Sequence, residues 1–335
     1  MSRRRRAAVG AAALVVAACL VGYFHFSSEI DGGTPGPAVT VSIPEGLSTP
    51  AIARKLARAG VIHSPTLFEL YVKLVGSKAL LAGTYKLPTN EGYATVISAL
   101  EKGPVMRELV VPEGFTLAEM AKAVAALHAG ISANAFLQAT RAVRSPYEPA
   151  GSHDLEGLLF PATYPVAVGE TATALVQYMV TTFDQHAAAL GLPSAAKRLG
   201  LSAYQVIKVA SIVEREAKLE VDRGPIASAI YNRLALGMPI GAESTLLYGL
   251  GDGLPFHGKL VDLTVSNPYN TFTRKGLPPT PIASPGVPSL EAAMHPPETK
   301  FVYWVEVNPD GKMGFGTTQA QFRQLQRECQ VVHLC

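Results

Sequence analysis

Two separate stretches of the chain share one pattern, and this pattern limits the fold classes open to it. The stretches are Val41-Ser-Ile-Pro-Glu-Gly-Leu-Ser-Thr-Pro50 and Leu109-Val-Val-Pro-Glu-Gly-Phe-Thr-Leu117. Each has a short apolar run typical of a strand, a Pro-Glu-Gly turn, and a Ser or Thr where a helix cap is expected. Apolar residues then recur at helical spacing, at Ile52, Leu56 and Ala59 and at Leu117, Met120 and Val124. The repeat predicts an α+β fold.

The first copy is followed by further elements that define a small unit. The pattern predicts a helix at Pro65–Leu74, a strand near Gly83–Leu87 and a helix at Tyr93–Leu100. Strand, helix, helix, strand is typical of a small carbohydrate-binding module, and equally of a generic α+β packing unit. Lys102-Gly-Pro104 marks a boundary. Beyond it, helical periodicity covers residues 118–127, 133–142, 171–190 and 203–236.

The N-terminus predicts a membrane segment. Arg3 to Arg6 form a basic block, and Ala7 to Phe26 then run without a charged residue. About 20 apolar residues cross a bilayer core, and the arginines would keep residues 1–6 in the cytoplasm. Two alternatives are a cleaved signal peptide and lipidation of Cys19 after Val16-Ala-Ala. In each case residues 27–38, rich in Gly and Pro, form a linker to a folded part outside the cytoplasm.

Composition excludes several classes of protein. The net charge of +3 is small for 335 residues, and no basic run is interleaved with aromatic residues, so we expect no nucleic-acid partner. The chain has no Gly-rich phosphate loop, no zinc helix and no nucleophile elbow, so neither a cofactor nor a metal is expected. Of the three cysteines, Cys329 and Cys335 could form a disulfide bond or remain free thiols.

Ser211 to Ala217 places two glutamates, Glu214 and Glu216, in an apolar stretch with helical periodicity. A carboxyl group among apolar side chains stays protonated to higher pH and can donate a proton to a leaving group. Helical geometry puts the two glutamates on opposite edges of the apolar stripe, which argues against a close dyad. Ordinary ion pairing, Glu214 with Lys218 or Arg215 with Glu220, is the competing interpretation.

A proline-stiffened segment supplies a second candidate surface. Residues 267–273 (NPYNTFT) precede two proline-rich turns at 276–279 and 281–286. Amides, hydroxyls and an aromatic ring on such a loop are typical of surfaces that bind sugar hydroxyls and stack on pyranose faces. The same residues are also compatible with a rigid structural loop.

Taken together, these stretches resemble one family, the endolytic murein transglycosylases of the YceG-like type. The similarity runs from about Val39 to Thr318 and rests on several motifs in order. They are LEG with FP and TY at 155–164, ASIVERE at 210–216, IYNRL at 230–234, YG at 248–249, YNTFT at 269–273, GLPP at 276–279 and IASPG at 282–286.

The resemblance implies both an architecture and a reaction. It implies an inner-membrane anchor, a LysM-like subdomain over residues 39–104 and an α+β catalytic domain over residues 105–335. It implies cleavage of the β-1,4 bond between N-acetylmuramic acid and N-acetylglucosamine within murein glycan strands, which gives 1,6-anhydro ends and terminates strand growth. Cell-wall synthases are the implied partners. The second glutamate of the motif, Glu216, is the implied catalytic acid. The candidate substrate-binding residues are Glu214, Glu243, Thr245, Tyr248, Tyr269, Asn270 and Thr271.

The chain departs from the family pattern at supporting positions. Gly241 and Glu243 replace the Gln and Asp of a Leu-Gln-x-Asp-x-Thr motif, Ala162 replaces an Asp, and Phe322 replaces a His. Two other functions therefore stay open. One is a muramidase-type hydrolase that pairs Glu216 with Glu243 or Asp252. The other is a catalytically weak scaffold that binds murein and organises wall synthesis.

Overall fold

The computed structural model describes residues 16–17, 20–24, 26–251 and 262–333. The chain divides into two compact units. Unit 1 runs to Arg107 and also contains His128–Gly130 and Pro165–Glu170, whereas unit 2 contains the remaining residues from Glu108 onward. The predicted boundary at 102–104 therefore lies a few residues before the observed one.

Unit 1 has the predicted order of strand, two helices, strand and helix. Its elements are β1 (Ala38–Ile43), α1 (Thr49–Arg58), α2 (Pro65–Val75), β2 (Gly83–Pro88) and α3 (Tyr93–Lys102). β1 and β2 are antiparallel, with Ala38 opposite Pro88 and Ile43 opposite Gly83.

Alternation along both strands of unit 1 places one set of side chains in its core. Val41 and Ile43 of β1 and Tyr85 and Leu87 of β2 are all buried, as the period of two requires. The three helices contribute the rest of this core, including Leu56, Phe68, Tyr93, Val96 and Leu100. The sheet therefore has its helices on one face.

The remaining elements belong mainly to unit 2. They are β3 (Met106–Val110), α4 (Leu117–Ala126), α5 (Ala133–Ala142), β4 (Thr163–Ala167), α6 (Ala172–Ala189), α7 (Leu192–Leu199), α8 (Ala203–Glu216), α9 (Glu220–Ala235), α10 (Glu243–Leu250), α11 (Val287–Met294), β5 (Tyr303–Glu306), β6 (Met313–Gly316) and α12 (Gln319–Val331). β3 pairs with β4 and β5 pairs with β6. The predicted α+β class is confirmed.

The predicted repeat is present as local structure. In the second copy Thr116 caps α4 with a full capping box, in which its side chain and that of Glu119 each accept a backbone N–H. In the first copy Ser48 occupies the cap position of α1, but its side chain accepts no capping bond. The two copies thus share a backbone path and differ in their side-chain contacts.

The helical stretch predicted for residues 203–236 is two helices. α8 ends at Glu216, Ala217 has extended backbone angles (φ −86°, ψ 117°), and α9 begins at Glu220. None of residues 217–219 is Gly or Pro, so the break has no local signal. The prediction of one continuous helical pattern was wrong because tertiary contacts, described below, determine where the helix ends.

The predictions for residues 1–6, for most of residues 7–26, and for Cys19 and Cys335 lie outside the described residues. Within the described ranges, no helix combines the length and apolarity needed to cross a bilayer. Cys329 is buried and disulfide-bonded.

Candidate active site

Helix α8 carries the candidate acid at its last residue. A capping box fixes the start of the helix, since Ser202 Oγ accepts from Gln205 N (3.2 Å) and Gln205 Oε1 accepts from Ser202 N (2.9 Å). The apolar face of α8, including Val206, Val209 and Val213, is fully buried. This rigid helix therefore presents Glu216 from a fixed position.

Polar donors hold both oxygens of the Glu216 carboxyl group. Oε1 accepts from Ser244 Oγ at 2.6 Å and from the Ser244 backbone N–H at 3.3 Å. Oε2 accepts from Trp304 Nε1 at 3.0 Å. The side chain is half-buried, so it differs from the expectation of a carboxyl surrounded by apolar groups. Three donors fix its orientation and leave one lone pair free, on Oε2.

A half-buried arginine, Arg233, lies beside Glu216 and Trp304. The guanidinium of Arg233 is 4.7 Å from the Trp304 ring centroid and 5.3 Å from that of Tyr303, which is cation–π geometry. It also donates to the carbonyls of Val302 and Ile240. Burial lowers the pKa of Arg233, and Tyr303 and Glu216 oppose this shift. Because an arginine stays charged in proteins, the site contains a fixed positive charge.

Gly241, which replaces the Gln of the family motif, lies against the guanidinium of Arg233. Gly241 has a φ of +62°, and a Cβ atom built there would lie 2.9 Å from Arg233 Nη1. A glutamine at this position would be strained and would displace the guanidinium. Gly241 thus permits the observed position of Arg233.

Glu243 is the second carboxylate near Glu216. It is the first residue of α10 and directly precedes Ser244. Although the residue is exposed, partial desolvation raises the pKa of its carboxyl group, and the negative charge of Glu216 raises it further. Of the two residues proposed for a hydrolytic pair, Glu243 lies within electrostatic range of Glu216, and Asp252 lies outside the described residues.

Glu214 has a different set of partners. Its Oε1 accepts from Arg223 Nη1 at 3.0 Å, its Oε2 accepts from Gly286 N at 2.9 Å, and its side chain is 6% exposed. The suggested pairing with Lys218 is wrong, because Lys218 pairs with Glu306 at 2.6 Å. Glu214 therefore connects α8 to α9 and to the start of α11.

The suggested pairing of Arg215 with Glu220 is also not observed. Arg215 Nη1 donates instead to the carbonyl oxygen of Gly114 at 2.6 Å. Gly114 belongs to the second Pro-Glu-Gly turn, and its N–H donates to the Ser284 carbonyl at 2.9 Å. This turn therefore packs on the end of α8 that carries the acid.

Two of the predicted substrate-binding residues support the turn before α10. Thr245 and Thr271 are 0% and 2% exposed. Thr245 Oγ1 donates to the Ala242 carbonyl at 2.7 Å and lies 2.8 Å from Thr271 Oγ1, which accepts from Ala242 N at 3.1 Å. Both hydroxyls are thus occupied within the protein, and they fix the backbone that presents Ser244.

Asn270 holds together the loop of residues 263–272. Its side chain is fully buried. Nδ2 donates to the carbonyls of Leu263 and Val265 at 2.9 and 2.8 Å, and Oδ1 accepts from Phe272 N at 3.0 Å. The amide therefore acts on the loop backbone, as the structural-loop interpretation expects.

Tyr248 and Tyr269 form an aromatic pair one helical turn beyond Ser244. Their ring centroids are 4.9 Å apart at an interplanar angle of 64°. Both residues are half-buried. Tyr248 OH donates to Glu156 Oε2 at 2.9 Å, and Tyr269 OH lies 2.9 Å from Thr280 Oγ1. The hydroxyls are paired, while part of each residue's surface remains accessible.

Glu156 is a buried carboxyl group below this pair. It is 3% exposed, and its oxygens accept the backbone N–H of Leu117 at 3.2 Å. Burial raises the pKa of Glu156 to about 8, despite the opposing hydrogen bonds from Leu117 and Tyr248. It therefore connects the start of α4 to α10.

Sequence reasoning missed four residues of this region, namely Ser244, Trp304, Arg233 and Glu156. Trp304 is the only tryptophan of the chain, which is a signal that could have drawn attention to it. Arg233 and Glu156 fall inside motifs used for the family resemblance but received no role. No comparable signal marks Ser244.

A large cavity of unit 2 does not coincide with this site. It has a volume of about 880 Å³ and is lined by residues of α9 and of the segment after α11, including Tyr231 and His295. Tyr231 OH already donates to the Ala293 carbonyl at 2.8 Å. None of the candidate site residues lines this cavity, so chemistry rather than cavity size identifies the site. No group of three His, Cys, Asp or Glu side chains within the described ranges is placed to hold a metal ion.

Comparisons with known proteins agree with the resemblance inferred from the motifs. The sequence model of the YceG-like family matches residues 41–328. The chain belongs to the YceG-like family. A crystal structure of a YceG-like protein from Listeria monocytogenes has a TM-score of 0.58 and 30% identity, covering 87% of this chain and 99% of that one.

Two curated relatives carry the name endolytic murein transglycosylase. The protein from Bacillus subtilis strain 168 is 32% identical over 300 residues, which cover 84% of this chain and 81% of that protein. The protein from Streptococcus pneumoniae serotype 2 is 29% identical over 334 residues, which cover 89% of this chain. The match spans 60% of the length of the Streptococcus protein.

Proposed function

We propose that this protein is an endolytic lytic transglycosylase that cleaves the β-1,4 bond between N-acetylmuramic acid and N-acetylglucosamine within murein strands. One observation carries the proposal. The carboxyl group of Glu216 is oriented by Ser244 and Trp304 at the end of a buried helix. The relatives named endolytic murein transglycosylase support the choice of substrate.

In the first step the protonated Glu216 donates its proton to the glycosidic oxygen. The C1–O bond of the muramoyl residue breaks, and the N-acetylglucosamine side leaves as an alcohol. General acids of this kind act on leaving groups held within hydrogen-bond reach. The three donors on Glu216 stabilise the carboxylate that this step produces.

In the second step the Glu216 carboxylate removes the proton of the muramoyl C6 hydroxyl. The C6 oxygen attacks C1 and closes a 1,6-anhydro ring, so the proton returns to Glu216. Water is not consumed, and one carboxyl group serves as acid and then as base. A glycoside hydrolase normally requires two carboxyl groups at set separations.

The aromatic pair Tyr248–Tyr269 supplies a surface for the sugar rings in this proposal. The two side chains lie on α10 and on the proline-rich segment, with their rings in contact, and both residues are partly exposed. Glu156 and Thr280 hold their hydroxyls. The rings are therefore positioned before substrate binds, which reduces the entropy cost of binding.

The test is cleavage of purified glycan strands by the Glu216→Gln variant, with products identified by mass. Gln keeps the size of the side chain and cannot donate a carboxyl proton. We expect cleavage to fall by at least about 10³-fold and the wild-type products to end in anhydromuramoyl residues. Glu220→Gln is the matched control, since Glu220 is exposed at the start of α9. Retained cleavage by Glu216→Gln would show that Glu216 is not the catalytic acid.

The muramidase alternative has one specific observation in its favour, the position of Glu243 directly before Ser244, which bonds to Glu216. In that reaction Glu243 would be the second carboxylate, and water would attack C1. Reducing muramoyl ends together with loss of activity in Glu243→Gln would support this alternative. If Glu243→Gln instead retains activity and the products end in 1,6-anhydromuramoyl residues, the transglycosylase function is supported. Glycan binding without cleavage by the wild type would instead favour the scaffold.

For unit 1 we propose a LysM-like carbohydrate-binding role. Its β1-α1-α2-β2 order with an antiparallel strand pair supports this. For the N-terminus we propose a single-pass anchor at residues 7–26 in a bacterial inner membrane, with residues 1–6 cytoplasmic and the catalytic part periplasmic, near cell-wall synthases. Protease protection of spheroplasts tests the orientation, since added protease should digest the catalytic part.

A further inference from the structure

Unit 1 contains a groove that takes no part in the cleavage reaction proposed above. Its volume is about 690 Å³, which is within the range of sites for small ligands. β2 forms one wall, and α3 forms the other with Thr95, Ser98, Ala99 and Lys102. These positions follow the three- and four-residue spacing of one helix face.

The wall formed by β2 is a free strand edge. In the part of the chain that the structure describes, β2 pairs with β1 alone. Thr89 N donates to the Pro37 carbonyl at 3.1 Å. In an antiparallel pair every second residue is hydrogen-bonded to the partner strand, so Leu87 and Tyr85 are the next residues of β2 that bond to β1. The backbone N–H and C=O groups of the intervening residues, Thr84 and Lys86, therefore point away from β1.

The opposite edge of the sheet agrees with this alternation. Ser42 lies opposite Thr84 in the register, so its carbonyl should point outward from β1. Lys55 Nζ donates to that carbonyl at 2.9 Å. The outward carbonyl of β1 is thus bonded by a side chain, whereas the corresponding residues of β2, Thr84 and Lys86, line the groove.

The free edge is short. Pro88 has no N–H and ends it on one side. At the other side Gly83 packs against the ring of Pro104, so closely that a Cβ atom on Gly83 would lie 2.7 Å from Pro104 Cγ. Only Thr84 and Lys86 remain to pair with an added segment, which suits a peptide of a few residues.

The charge of the groove is of one sign. Lys86 and Lys102 are its two charged lining residues, and the hydroxyls of Thr95 and Ser98 add polar groups. Lysines that flank a groove attract carboxylates and raise the rate of their capture. A free edge with cationic flanks is the general arrangement for strand addition by an acidic peptide.

We propose that this groove binds the short, carboxylate-bearing peptides attached to murein glycan strands. The peptide lies extended along β2, its amides bond to Thr84 and Lys86, and its carboxylates face Lys86 and Lys102. The inference rests on the proposed function, because murein is the polymer that carries such peptides. The shortness of the edge favours this occupant over a strand of a partner protein.

The experiment measures binding of a fluorescent tetrapeptide, L-Ala-γ-D-Glu-meso-diaminopimelate-D-Ala, to the full-length chain. The double variant Lys86→Glu with Lys102→Glu should weaken binding at least about tenfold, and added salt should weaken wild-type binding. Lys73→Glu is the matched control, since Lys73 is exposed and, like Lys102, lies in the last turn of its helix. Thr95→Trp fills the groove from an exposed position without changing charge.

We expect Thr95→Trp to abolish binding while the thermal unfolding temperature stays within about 2 °C of the wild type. Equal binding by the wild type and the double variant would overturn the proposal. So would preferential binding of an all-L acidic peptide of the same length and charge, which would indicate a protein segment as the occupant. The tetrapeptide has no glycosidic bond, so its binding is independent of the cleavage reaction and the two proposals fail separately.

Discussion

Trp304 and Glu216, 88 residues apart in the chain, are joined by a hydrogen bond of 3.0 Å from the indole Nε1 to Oε2. The bond connects strand β5 to the last residue of α8. Arg233 covers the same indole ring at 4.7 Å, so the tryptophan is itself held in place. The orientation of the candidate acid thus depends on an element far from its own helix.

Replacing Trp304 with Phe tests this dependence. Phe keeps a ring beneath Arg233 and removes the N–H donor. A hydrogen bond to a charged group contributes roughly 1.5–3 kcal/mol, so we expect kcat on glycan to fall about tenfold or more with little change in KM. Steady-state kinetics on purified strands measures both. An unchanged kcat would show that Ser244 alone orients the carboxyl group.

Ser244 provides the second test. Ser244→Ala removes the 2.6 Å donor but leaves the backbone N–H, and we expect a loss of kcat of about tenfold. Ser244→Thr restores a hydroxyl and should recover part of the activity. Since both donors act on one carboxyl group, the Ser244→Ala and Trp304→Phe effects should couple by more than about 0.5 kcal/mol. Strict additivity would mean that the two contacts act independently.

Much of this fold was accessible from local patterns. The spacing of Val206, Val209 and Val213 predicts the buried face of α8. The helical period also predicts that Glu214 and Glu216 lie on different edges of this face, and the two carboxyl groups have different partners. The choice of Glu216 as the candidate acid came only from resemblance to a family. Periodicity describes one helix at a time, so it could not choose between two residues at the edges of one stripe.

The rest of the site depends on distant contacts. Ser244 is 28 residues from Glu216, and nothing local shows that it, rather than the adjacent Thr245, faces the acid. On α10 these neighbours point about 100° apart, so Ser244 contacts Glu216 while Thr245 bonds to Thr271. The end of α8 is likewise set by its contacts, since residues 217–219 carry no breaker.

Glu156 should make stability depend on pH in a defined direction. Its folded-state pKa of about 8 lies above the ordinary value of 4.5, so the folded state binds the proton more tightly. Its contribution is fully present below about pH 4.5 and is lost as the pH rises toward 8. Relative to Glu156→Gln, the wild type should lose roughly 1.4 kcal/mol per pH unit within this window.

Urea unfolding of both proteins from pH 5 to pH 9 measures this difference. Gln still accepts a hydrogen bond from Tyr248 but does not titrate. The difference in unfolding free energy should fall with pH up to about 8 and then level off. A difference that is constant over the whole range would show that Glu156 does not carry the shifted pKa.

The Glu214–Arg223 pair should stabilise the fold that carries the acid. The two side chains are 6% and 14% exposed, so Arg223→Met leaves a buried carboxylate without its partner. We expect a loss of about 3–5 kcal/mol in the free energy of unfolding. Glu214→Gln keeps an acceptor for Gly286 N and, combined with Arg223→Met, should recover part of that loss.

Lys218→Met is the matched control, because it breaks the Lys218–Glu306 pair, whose lysine is 60% exposed. This variant should cost less than about 1 kcal/mol in the free energy of unfolding. If Arg223→Met cost no more than Lys218→Met, Glu214 would not be a structural residue and would return as a candidate for contact with the glycan.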